Sequence, residues 1–63
     1  MKQIYANLLG NWVELTNEDG ATIMNEDPST WIQEQNLHEF DFIWVGYRGR
    51  GYKIHVSQVQ ILN

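Results

Sequence analysis

The residues best suited to chemistry lie in Arg48-Gly49-Arg50-Gly51-Tyr52-Lys53. Two guanidiniums on a glycine-rich turn can fork onto phosphate oxygens, and Tyr52 with the neighbouring Tyr47 can stack on a base. Backbone binding scales with the number of phosphates neutralised. This chain holds only four Lys and Arg against eight Asp and Glu, a net charge of −4. The same tip also has a plain structural use: keeping a sheet edge soluble, or pairing with acids elsewhere. Arg48, Arg50, Tyr52 and Lys53 are therefore the candidate residues for an anion or a nucleic acid, as the second of two readings.

Catalytic chemistry has less to stand on. Ser57 lies two residues from His55, which on a strand puts both on one face, yet no glycine-rich nucleophile turn accompanies them. A phosphate loop of the Walker type is absent. Cysteine is absent too, which excludes disulfides and thiolate metal sites, and two histidines would leave a structural zinc dependent on carboxylates. Asn17-Glu18-Asp19-Gly20 with Glu26 satisfies one offset of a calcium loop, but Thr22-Ile23-Met24 reads as strand, which breaks the ligand pattern. No catalytic residue, metal or cofactor is implied, and the chain reads as a non-enzyme.

The acids are segregated. Residues 14–41 hold all eight (Glu14, Glu18, Asp19, Glu26, Asp27, Glu34, Glu39, Asp41) and no Lys or Arg, whereas residues 42–63 hold Arg48, Arg50 and Lys53 and no acid. Such a division suits an acidic surface for a basic partner, or solubility with pairing inside the molecule. Carboxylates on a rigid surface could also imitate a row of phosphates. Trp12 next to Glu14 on an outward strand face has the character of an interface anchor. The candidate partner-binding residues are Trp12, Glu14, Glu18, Asp19, Glu34 and Trp44.

Short elements must position these groups. Residues 4–9 alternate loosely as a first strand, broken at Gly10-Asn11. Trp12 to Thr16 reads as a strand with Val13 and Leu15 inward. Asn17-Glu18-Asp19-Gly20 supplies a turn, after which residues 21–24 return as the second arm of a hairpin. Asp27 is a helix N-cap and Pro28 a first helical residue, so a helix is expected over residues 28–35, with Trp31 and Ile32 as its apolar contacts and Asn36 as a left-handed terminator. On a strand over residues 40–47, Phe40, Phe42 and Trp44 face one way and Ile43, Val45 and Tyr47 the other. A strand apolar on both faces is either covered twice or meets a partner. Residues 48–51 form a hairpin loop, residues 52–56 the return strand with Tyr52, Ile54 and Val56 inward, and residues 59–61 a last strand after a short turn at Ser57-Gln58. The order β-β-β-α-β-β-β, over a single domain of residues 1–63, is mainly β: a small SH3-like barrel or curved antiparallel sheet with one short helix.

A chain of 63 residues buries only about 60% of the surface its unfolded form exposes. Without disulfides, its three Trp, three Tyr and two Phe must supply the core, and self-association through the strand at 40–47 would help a marginal one. No apolar run reaches the roughly 18 residues of a membrane span. The first residues lack a signal-peptide pattern, so the expected location is cytoplasmic, with no membrane partner.

The ending Tyr52-Lys53-Ile54-His55-Val56-Ser57-Gln58-Val59-Gln60-Ile61 resembles the end of SH3-like barrels, where two short strands flank a tight turn. The whole chain, small, acidic, aromatic-rich and cysteine-free, resembles accessory proteins of bacteriophages and mobile elements. That resemblance implies a protein–protein module, of the kind that inhibits a host defence or nucleic-acid-handling protein by docking an acidic-aromatic surface on a basic protein. A homodimer is a further expectation. The alternative is a small barrel that binds nucleic acid or a nucleotide through residues 48–53.

Overall fold

Two two-residue turns set strand pairings, and a third reverses the chain between them. Strand β1 (Gln3–Leu8) and strand β2 (Asn11–Glu14) are joined by Leu9-Gly10, with φ of 53° and 90°. Strand β4 (Phe42–Tyr47) and strand β5 (Arg50–His55) are joined by Arg48-Gly49, with φ of 50° and 80°. Met24-Asn25, with φ of 53° and 66°, turns the chain after strand β3 (Thr22–Ile23), where Ile23 and Glu26 exchange two backbone hydrogen bonds of 2.9 Å. Positive φ at both central residues is the signature of the turn whose twist matches a right-twisted hairpin. The computed structural model describes residues 2–62.

These pairings build two three-stranded antiparallel sheets, ordered β2-β1-β6 and β3-β4-β5, where β6 is Val59–Leu62. The order of strands and helix follows the expected β-β-β-α-β-β-β. No ladder joins the two sheets among the described residues, so they do not close into a barrel. Period-two alternation points Ile4, Ala6 and Leu8 of β1 toward Ile23, Ile43 and Val45 of the other sheet, and all six are buried. Leu15, Ala21, Trp31 and Leu37 complete that core.

Helix α1 (Pro28–Glu34) covers one end of the core. Asp27 caps it, its Oδ2 accepting the Thr30 N–H at 3.2 Å, and Pro28 opens it. Trp31 is driven inward and meets Phe40, ring centroids 5.4 Å apart and planes tilted by 52°. The helix stops one residue before Gln35, which is already extended.

Four local expectations are corrected. Phe40 is not on β4, which begins at Phe42: it ends the preceding 3-10 turn and packs on Trp31 and the core instead of sharing the outer face of Phe42 and Trp44. Residues 12–16 and 21–24 are not two arms of one hairpin: β2 pairs with β1 and β3 with β4, and residues 15–21 cross between sheets. Leu15 and Ala21 both bury in the core, and Leu15 donates its N–H to the Ile4 carbonyl at 2.7 Å, so the intervening turns fold back on themselves. Asn36 is not left-handed. Its φ is −91°, and its Oδ1 accepts the His38 N–H at 3.0 Å, opening a 3-10 turn (Leu37–Glu39) that returns Leu37 to the core. The loop at 48–51 is only Arg48-Gly49, because Tyr47 already pairs with Arg50.

Leu9 takes left-handed backbone with its side chain 86% exposed. A leucine gains nothing there, whereas Asn tolerates that conformation. Leu9→Asn is expected to stabilise the fold by about 1 kcal/mol, visible as a rise in melting temperature of roughly 4–8 °C.

Candidate binding face

Strand β4 is the central strand of its sheet, and its two faces have opposite fates. Ile43 and Val45 are buried at 0% and 1% exposure, while Phe42 and Trp44 on the other face are 53% and 55% exposed. The alternation that fills the core thus delivers two aromatic rings to the outside. Cross-strand pairing sets Lys53 opposite Trp44 and His55 opposite Phe42. The Lys53 ammonium lies 5.1 Å from the Phe42 ring centroid, and the His55 ring meets Phe42 edge-on at 5.3 Å.

His55 is fixed from below. Its Nδ1 accepts the Ser57 N–H at 3.1 Å and lies 2.9 Å from the Ser57 hydroxyl, which starts the 3-10 turn (Val56–Gln58) leading to β6. The serine–histidine proximity read from the sequence is thus this turn's cap. With Nδ1 accepting, a neutral ring carries its proton on Nε2.

Beside Trp44 lies a groove of about 310 Å³, lined by Thr22, Met24, Asn25, Trp44, Gly46 and Gly51 among others. Its floor contains the cross-strand pair Gly46 and Gly51. Neither has a positive φ, so backbone conformation does not require glycine at either position. At Gly46 packing does: an added Cβ would stand 2.5 Å from Thr22 Oγ1. At Gly51 nothing lies within 4 Å of that point. A glycine inside a strand forfeits roughly 0.5–1 kcal/mol relative to alanine, and close approach of another group is one of its known uses. Met24 adds to the pattern, since it occupies a left-handed position while its sulfur takes the Trp44 N–H at 3.3 Å.

The six candidate partner residues are distributed. Trp44 is on this face. Trp12, 51% exposed, and Glu14 project from the outer face of the other sheet, opposite Asn7 and Tyr5. Glu14 is engaged locally, its Oε2 accepting from Thr16 Oγ1 at 2.8 Å and Asn17 Nδ2 at 2.9 Å. Glu18 meets Arg48 Nε at 3.4 Å, so one acid and one base from the two charge-segregated segments do pair. That hydrogen bond, with the Tyr47 and Glu18 charges, holds the Arg48 guanidinium above its usual pKa. Asp19 is exposed beside the turn at Gly20, and Glu34 is exposed at the end of α1.

Of the second set, Arg48 lies in the turn, its guanidinium 5.3 Å from the Tyr47 ring centroid. Arg50 and Tyr52 share the other face of β5, and Lys53 alone is on the outer face with Trp44. Phe42, Met24, His55 and the two glycines were not among the candidates. The two-faced apolar strand was the available signal for Phe42. Among the described residues no group of three or more His, Asp or Glu is placed to hold a metal, and no helix is long and apolar enough to cross a membrane.

Comparison with known proteins finds no family model, no curated protein and no solved structure that matches this chain.

Away from this face, two acids crowd each other. A hydrogen bond from Glu34 raises the Glu26 carboxyl above its ordinary value, and slight desolvation and the Glu34 charge act in the same direction. A carboxyl raised in the folded state adds stability below its unfolded pKa, and that stability is lost as pH rises through the folded value. Glu34→Gln removes the repulsion. The variant is expected to melt above the parent near neutral pH, with the difference vanishing below about pH 4, where both acids are protonated. Thermal melts at the two pH values check this.

Proposed function

We propose that this chain is a non-enzymatic binding module that docks a macromolecule on the outer face of β3-β4-β5. One observation carries the reading: a central strand seals one apolar face in the core and leaves Phe42 and Trp44 more than half exposed on the other. Contiguous exposed apolar surface with a polar rim is the ordinary mark of an interaction site, and Trp is enriched where such sites hold their partners. Lys53 and His55 supply that rim.

The finer fold reading is an SH3-like arrangement. In its favour, a 3-10 turn links β5 to β6, and β6 returns to pair antiparallel with β1.

A second reading uses the other sheet. There Trp12 stands beside Glu14 on β2, and Leu62 at the far edge is 42% exposed, which suits an acidic-aromatic contact with a basic protein. A small inhibitor of a host protein would work in this way.

Tagged protein used as bait in a bacterial lysate separates the two. The double variant Phe42→Ala, Trp44→Ala is expected to lose the retained partner while melting within a few degrees of the parent, because both rings are exposed. Trp12→Ala with Glu14→Lys is expected to keep it. The opposite pattern overturns the first reading and selects the second.

A further inference from the structure

We infer that the partner received by the Phe42–Trp44 face is a single-stranded nucleic acid, with bases stacked on the two rings and phosphates held at Lys53 and His55. This rests on the face proposed above and adds the chemistry of its occupant.

Charge gives the first reason. The chain carries −4 overall, yet strands β3, β4 and β5 contain no carboxylate at all. Across the outer face the only formal charge within those strands is Lys53, joined by the titratable His55. A basic protein would meet like charge here, whereas an anionic strand meets its complement. Glu26 is engaged with Glu34 of the helix and Glu18 with Arg48 at the hairpin tip, which leaves exposed Asp41, just before Phe42, as the acid adjoining the face.

Geometry gives the second. Phe42 and Trp44 are two residues apart on one strand, so their Cα atoms repeat at about 7 Å along it. Single strands, unlike duplexes, can splay bases at such intervals onto successive rings. A duplex keeps its bases stacked inside, and one lysine with one histidine offers its backbone little.

The groove supplies the third. Thr22 Oγ1 covers the floor at Gly46, but at Gly51 the floor is open and leaves room for a flat ring beside Trp44, while Thr22 and Asn25 bring hydrogen-bonding groups to the groove wall. Gly51 has a clear account under this inference: a side chain there would occupy the place of the base.

The test is fluorescence anisotropy with short labelled thymidine and uridine oligonucleotides and a duplex of matching length. Both single strands are expected to bind more tightly than the duplex. A uridine preference would identify RNA as the source, equal affinity a general single-strand binder, and each supports the inference. Trp44→Ala and Phe42→Ala are each expected to weaken binding roughly 5- to 100-fold. Lys53→Glu is expected to weaken binding and flatten its salt dependence, which in the parent should follow a log–log slope of about −0.7 to −1.4 for one or two phosphates. Gly51→Val is the control for folding. Open space and ordinary φ let the variant fold at least as stably as the parent, and its affinity is expected to fall with the groove filled.

Absence of binding by the folded parent to either single strand overturns the inference. So does affinity untouched by Gly51→Val and by both ring variants. The docking face has its own test: partner retention from nuclease-treated lysate that is lost in Phe42→Ala, Trp44→Ala would keep the face and exclude nucleic acid as its occupant. Oligonucleotide binding that depends on Arg48 and Arg50 but not on the rings would remove the face as well.

Discussion

A chain of 63 residues can cover one face of each of its sheets, and the rest of the structure follows from which face it covers. The two sheets spend their inner faces on each other, with Ile4, Ala6 and Leu8 against Ile23, Ile43 and Val45. The single two-turn helix is consumed in closing one end through Trp31. Among the described residues no element remains to shield the outside of β4. Large apolar rings that stay more than half exposed add only part of their surface to the folded core, which is why a contact outside the chain is proposed for them.

Strain is distributed in a way that agrees with this. Each of the three two-residue turns holds a non-glycine residue in left-handed backbone, but Leu9 and Arg48 are each followed by glycine. Met24-Asn25 is not, and it is the turn that lines the groove. A methionine in that conformation is unfavourable, and here it returns a sulfur contact to the Trp44 amide and an apolar wall beside the indole. Gly51 shows the same tendency from the other side, being a residue that a sheet of its own accord would replace. Two locally unfavourable choices, made on adjacent strands around one ring, converge on one groove.

Much of the fold was legible because period-two patterning is strong in short strands. The inward sets Ile43-Val45 and Ile54-Val56, the outward Lys53 and His55, and the Asp27-Pro28 helix start all follow from residue type and spacing. The pairing of strands was less legible. Asn17-Glu18-Asp19-Gly20 carries hairpin chemistry, yet β2 had already found β1 across the shorter Leu9-Gly10 turn, and Leu9 gives no local hint of left-handed backbone. Asn36 is equally suited to ending a helix or opening a turn, and burial of Leu37 decided between them. For the candidate face, alternation alone put Phe42 with Trp44, but it also put Phe40 there, which the 3-10 turn instead directs onto Trp31. It could not say that the helix would cover the inner side, nor that β5 would bring Lys53 and His55 alongside.

Net charge, finally, is a poor guide to what this surface can hold. Eight acids in residues 14–41 suggest a molecule that repels anions. The fold places those residues in β2, the crossover, the helix and the turns flanking it, while β4 and β5 come wholly from the acid-free segment. Interactions between exposed charges fade beyond a Debye length of about 8 Å at physiological salt, so a phosphate beside Lys53 responds chiefly to its immediate neighbours. Phe42 sharpens that local field. The Lys53 ammonium and the edge-on His55 ring both pack against it at the rim of the aromatic surface, where, under the inference above, they would meet an anion whose bases lie on the rings.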